Sequence, residues 1–413
     1  MTDKEIILPL AERVLDLSKL PVQEYRKKLW ADHQALKKTD KIPVSVYYEG
    51  IPKQQWVSML GKDAVKSVGE TAKEIEFFLR RVIWMAENVP DDHIVWPIVK
   101  IVAPSIVDQD WGVSMKDHRS DEELGAYAFA APFKDGIDLT KLKPFTSRVD
   151  ETALKIKKEK ASELTGGLLD VYTFVWNLEY SPFDVAAKMR GLENIMFEPF
   201  DNPDKIHGLM DFLLKTFVNH HKIREQNGWI NFHADRSGKY QPILEYRVHC
   251  AHLPEKFKVD GIKRLEYEWP YLSAQTSSGF GPDMFKEFVQ DYYVRMAELF
   301  PGKTVYFHGC EPLDQKYEVL KALPNLRRIH VSPWSKVSKA AEVFQGSAVM
   351  EVHSHPAKVL MGMSESEMRE EIRGLVRDAS GFPMDLNLSD IHTVNNNPSQ
   401  LALWAKVAQE VVN

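Results

Sequence analysis

The segment KTVYFHGCEP, residues 303–312, runs from an apolar stretch into His308, Gly309, Cys310 and Glu311. In an extended strand, residues two apart share a face, so His308 and Cys310 converge on one point. An imidazole and a thiol so placed are a ligand pair suited to zinc. A buried thiol beside a hydrogen-bonded histidine is the structural alternative. A helical pattern, EPLDQKYEVLKAL (311–323), follows, and the alternation continues. RRIHVS (327–332) precedes WSKVSKAAEVFQ (334–345). AVMEVHSH (348–355) precedes SESEMREEIRGLVRDAS (364–380), and FPMDLNL (382–388) precedes PSQLALWAKVAQEVV (398–412). Ser364 with Glu367 reads as a capping box, and Pro398 stands where a first helical turn begins. Strand–helix units of this length imply a parallel sheet.

Four further strand-like runs lie upstream: PVSVYY (43–48), HIVWPIVKIV (93–102), LLDVYTFVW (168–176) and LEYEWPYL (265–272). Eight strands with intervening helices fit an α/β fold of the (β/α)8 TIM-barrel type, with its active site at the C-terminal strand ends. A doubly wound open sheet is the rival, but no G-x-G-x-x-G follows a strand. Residues 1–40 read as an N-terminal helical extension. Residues 41–413 read as one barrel, with long insertions near 110–165 and 227–265.

Composition narrows the class. Hydrophobic residues at 44% and charged residues at 27% describe an ordinary globular chain, and the 413 residues could hold one large domain or two ordinary ones. A net charge of -6 argues against nucleic-acid binding and against an anionic membrane surface. No apolar run is long enough to span a bilayer, and MTDKEIILPLAERVLDLSKL lacks a signal-peptide pattern. Two cysteines exclude a disulfide framework and lead us to expect a reducing cytoplasm.

The order of motifs resembles the uroporphyrinogen decarboxylase-like superfamily of (β/α)8 barrels. SPFDVAAKMRGLENIMFEPFDNPDKIHGLMDFL (181–213) is similar to its stretch after strand three. SAQTSSGFGPDMFKEFVQDYYVRM (273–296) is similar to the segment after strand four. KTVYFHGCEP matches strand five, IHVSPWSKVSKAAE strand six, and LNLSDIHTVNNNPSQLALWAKV (386–407) strand eight. The resemblance is good over about residues 165–413 and poor over 40–165. Two departures speak against tetrapyrrole decarboxylation. No arginine stands between Ile42 and Trp56, where the decarboxylases grip substrate carboxylates, and strand eight ends Asn387-Leu388-Ser389-Asp390. A polyanionic substrate needs a cationic cradle.

The resemblance therefore implies the zinc-dependent, corrinoid-linked methyltransferase branch. Zinc would sit on His308 and Cys310, and a corrinoid protein would exchange the methyl group at the barrel mouth. The branch's further cysteine near strand eight is missing here. His355, His353, Glu311 and Asp390 are the candidates to complete the site, in that order, with Asn387 a poorer ligand. Glu49 and Asp390 are candidate acid/base groups, and Gln275 could hydrogen-bond a substrate. Tyr47, Tyr48, Trp96, Tyr172, Trp176, Trp269 and Trp334 crowd the expected strand ends, where they would wall an organic-substrate pocket or belong to the core. Cys250 between His249 and His252, and HADRSG (233–238) with Asp235 and Arg236, read as incidental loop features. Homodimers are common in the superfamily, but the sequence itself carries no sign of the oligomeric state. The alternatives are a decarboxylase of a small organic acid and a non-catalytic barrel serving a corrinoid system.

Overall fold

A computed structural model describes residues 1–48, 50–61, 64–115, 117–119, 127–176, 178, 181–231 and 264–413. Eight strands that pair in parallel follow the expected runs. They are β1 (Val44–Val46), β2 (Ile98–Val102), β3 (Asp170–Phe174), β4 (Tyr271–Ser273), β5 (Val305–His308), β6 (Leu326–Val331), β7 (Val349–His353) and β8 (Met384–Leu388). Six form one sheet in the order β1-β8-β7-β6-β5-β4, and β2 pairs with β3. This is the neighbour order of a TIM-barrel-like fold, interrupted at two seams. No closed sheet forms among the described residues.

Side chains span both seams. Asp92 donates its amide to the Val44 carbonyl and accepts the Val44 amide on Oδ2 at 3.0 Å. Asp91 Oδ2 accepts the Val46 amide at 2.8 Å. At the other seam, Asn231 brackets the Val175 backbone, accepting its amide and donating to its carbonyl, while the Asn231 amide donates to Glu268. The apolar core divides in the same place. A large cluster surrounds β1 and β4–β8. A smaller one joins β2 and β3 to residues 3–18, 70–88 and 151–164.

The helices form where the sequence supplies caps and an apolar face. Helix α1 (Asp3–Ser18) starts at a reciprocal Thr2/Glu5 capping box, and α2 (Pro21–Gln34) carries proline in its first turn. The expected Ser364/Glu367 box opens Glu365–Asp378. Pro398 caps Ser399–Val412, whose fully buried Trp404 donates Nε1–H to Ser354 Oγ at 3.0 Å. Burying a side chain of this kind stabilises the fold by about 1.5–3 kcal/mol.

The described residues of 110–165 are more regular than their charge suggests. Asp150 caps a helix at Glu151–Leu164, and Ser105–Gln109 pairs antiparallel with Thr146–Val149. Most of the 227–265 stretch, including Asp235, Arg236, His249, Cys250 and His252, lies outside the described residues, as does Glu49. No described helix is long and apolar enough to cross a membrane.

Candidate metal centre

The strands β5 to β8 carry polar residues at every second position in otherwise apolar segments. Tyr306, His308 and Cys310 alternate on one strand. Arg328, His330 and Ser332 do so on the next, then Glu351, His353 and His355, then Asp385, Asn387 and Ser389. Period-two alternation puts each set on one face. Parallel register, with His330 opposite Glu351 and Glu351 opposite Asp385, lines the sets up side by side.

Arg328 anchors the lower part of this face and is fully buried. Its Nε donates to Glu351 at 2.7 Å, and Nη1 and Nη2 donate to the two oxygens of Asp385 at 2.5 and 2.6 Å. His33 of α2 contacts the same Asp385 carboxylate at 2.8 Å, so the N-terminal helices buttress the site from below. Asn387 donates to Asp385 as well. Burial pushes the Glu351 carboxyl up, but the Arg328 charge and the His353 hydrogen bond overcome it and hold Glu351 well below the usual carboxylate range. Asp385 is likewise lowered, with Arg328 and His33 outweighing burial.

Above this layer, His308, His330 and Glu351 each present one ligand atom, all within 4.8 Å of one another, and all three residues are buried. A tetrahedral zinc with bonds of roughly 2.0–2.1 Å sets its ligand atoms about 3.3–3.4 Å apart, so the three groups would close in by up to about 1.5 Å around an ion. The surrounding hydrogen bonds suit metal ligands. His330 Nδ1 donates to the Gly309 carbonyl, leaving its lone pair on Nε2. His308 Nδ1 meets Tyr306 Oη at 2.9 Å; when this nitrogen donates, Nε2 becomes the ligand atom. The donor set therefore fits a divalent metal such as zinc.

Cys310 lies beside the triad, its Sγ 3.1 Å from His308 Nε2. Gln275 Nε2 donates to this sulfur at 3.3 Å, and the thiol reaches Asp390 Oδ2 at 3.6 Å. Asp390 holds this position in the left-handed region, at φ 56°. Thus His308, Cys310, Gln275 and Asp390 come together as the sequence suggested.

His353 stands behind the triad. It bonds Glu351 Oε1 at 2.6 Å and Ser389 Oγ at 2.8 Å. Ser389–His353–Glu351 has the composition of a nucleophile–base–acid relay, but Ser389 is fully buried and does not line the pocket. The chain orients Glu351 instead. Glu311 lies in neither the triad nor the pocket lining. Its carboxyl oxygens are buried, one of them 2.8 Å from where a Cβ on Gly309 would stand. Burial raises its pKa, which the Lys316 charge offsets only in part.

A pocket of about 240 Å³ opens above Cys310 at the C-terminal strand ends, lined also by Trp334, His355, Leu360, Met361 and Asp390. His355 meets Trp334 edge to face with centroids 4.7 Å apart. The other aromatics are placed differently. Trp96 and Trp269 precede β2 and β4, at the opposite end of the strands. Trp96 packs under Lys27, and Trp269 and Tyr172 are buried in the body of the fold. Tyr48 packs against Trp56 and His93, the Tyr47 amide donates to the Leu388 carbonyl, and Trp176 is exposed beyond β3.

His330, Glu351, Arg328 and Asp385 were not singled out from the sequence. The signal was present as the polar alternation shared by consecutive strands, which ranking single motifs does not detect.

The architecture defines a parallel α/β protein with a polar, metal-capable cluster at its strand ends. It is similar to a methyltransferase from Methanosarcina mazei over 93% of this chain and 98% of that one, with a TM-score of 0.55 and 12% sequence identity. At that identity the likeness is one of fold. No protein-family model and no curated protein sequence matches the chain.

Proposed function

We propose that this chain is a metal-dependent methyltransferase-like enzyme of the uroporphyrinogen decarboxylase-like kind, working at the mouth of a (β/α)8-type barrel. The observation that carries the proposal is the convergence of the buried His308, His330 and Glu351 beside Cys310, which lines the pocket. The likeness of fold to a methyltransferase supports it. Zinc held there would supply Lewis-acid activation of a thiol methyl acceptor.

The chain's own residues do the rest. Tyr306 and the Gly309 carbonyl fix the histidine rings. Arg328 and His353 hold Glu351 ionised and in place. Cys310 and Asp390 face the organic group, and Trp334 shields it from water. The proposed partner is a corrinoid protein that gives or takes the methyl group, meeting the exposed Trp334 and Met361 at the rim. Decarboxylation of an organic acid has less support, because no lysine or arginine lines the pocket among the described residues.

The test is methyl transfer to a thiol by zinc-loaded protein, with methylcobalamin as the donor. Thioether formation that is lost in His308→Ala supports the proposal. Carbon dioxide release from small acids, unchanged in that variant, contradicts it.

A further inference from the structure

The pocket above Cys310 has a chemical character of its own. Its walls are largely apolar: Trp334, Leu360, Met361 and the prolines Pro333 and Pro356. Its charged side chain is the Asp390 carboxylate, and among the described residues no lysine or arginine lines it. An indole offers a negative ring face to a cation, and the attraction grows as water is removed. A carboxylate in the same small space adds a second attraction of the same sign. A strongly hydrated ammonium would lose too much hydration among these apolar walls, whereas a methylated onium ion presents apolar methyls around a diffuse positive charge. The volume of about 240 Å³ limits the occupant to a small molecule.

We infer that the pocket binds a small methylated onium compound, an ammonium or sulfonium ion, between Trp334 and Asp390. Its role as methyl donor rests on the transfer reading above; its binding does not. Bound there, the onium methyls lie against Cys310 and hence beside His308, whose Nε2 is 3.1 Å from the Cys310 sulfur.

The experiment is calorimetric titration of the full chain at pH 8 with choline and with its neutral carbon isostere, 3,3-dimethylbutan-1-ol. Both zinc-loaded and chelator-treated protein are used. Choline is expected to bind at least about tenfold more tightly than the isostere, and Trp334→Ala and Asp390→Asn each to weaken choline by about tenfold. Both variants should fold, since Trp334 is 60% exposed and asparagine tolerates the left-handed backbone at 390. Equal binding of the isostere, unchanged affinity in both variants, or no choline binding at millimolar concentration overturns the inference. None of these bears on zinc uptake, so the metal proposal stands or falls separately.

Discussion

The imidazoles of His308 and His330 lie nearly parallel, 27° apart, with their centroids separated by 4.1 Å. Two buried imidazolium ions could not be held so close, and their hydrogen bonds leave each ring able to offer a lone pair. His353 approaches His330 edge-on at 4.2 Å and ties Glu351 to Ser389. The ligands are therefore held before any metal arrives, and the second layer should set affinity.

His353→Gln and Ser389→Ala remove this support without removing a ligand. Each is expected to weaken zinc binding by about 10–100-fold in a chelator competition, with stoichiometry retained. Affinity unchanged in both would show that the chain Ser389–His353–Glu351 does not position the ligand.

Arg328 is the fully buried counter-charge to both Glu351 and Asp385. Arg328→Met leaves Glu351 and Asp385 buried without their counter-charge. The expected loss in urea unfolding is about 3–5 kcal/mol. Lysine should not rescue it, since a point charge cannot reproduce the bidentate grip on Asp385 together with the bond to Glu351.

Acid sensitivity should begin above the carboxylate range. His220 and His221 are buried on residues 203–226; burial and the nearby Arg224 push His220 down to about 3 and His221 well below its ordinary value. As pH falls, the unfolded chain takes up these protons first, so the two histidines' contribution to stability is constant above about pH 7 and declines from about pH 6.5 downward. The slope should reach up to about 1.4 kcal/mol per pH unit for each histidine. His220 Nε2 is buried without a hydrogen-bond partner among the described residues. His220→Leu should therefore lower the slope between pH 6 and 5, above the range where carboxylates contribute, by up to about 1.4 kcal/mol per pH unit in thermal melts. An identical slope would assign the acid sensitivity elsewhere.

Gly302 joins residues 291–297 to β5 where two backbone segments nearly touch. A Cβ there would stand 2.1 Å from the Glu266 carbonyl oxygen. Gly302→Ala should cost about 1–3 kcal/mol in chemical denaturation, because the atom in the way is backbone and cannot rotate aside.

Much of this architecture was legible in the sequence. All eight strand runs recur, because apolar residues at strand spacing must be buried in parallel units. Their bounds were less legible: 93–102 and 265–272 begin well before β2 and β4 do. That shift carries Trp96 and Trp269 to the opposite end, since an apolar run does not say where pairing starts. His308, Cys310, Gln275 and Asp390 could be named because motif and position coincide in one segment each. His330 and Glu351 could not, because their meaning depends on which strands are neighbours and on register, which only the folded sheet supplies. The helix Glu151–Leu164, capped by Asp150, was hidden by its charge inside the expected insertion.

Zinc titration of the wild type and the ligand variants tests the central claim most directly. Metal analysis after dialysis against zinc should find one ion per chain. His308→Ala, His330→Ala and Glu351→Gln should each abolish it, and Cys310→Ser should only weaken it. No zinc in the wild type, or full zinc in His330→Ala and Glu351→Gln with loss in Cys310→Ser alone, would contradict the triad as the metal centre.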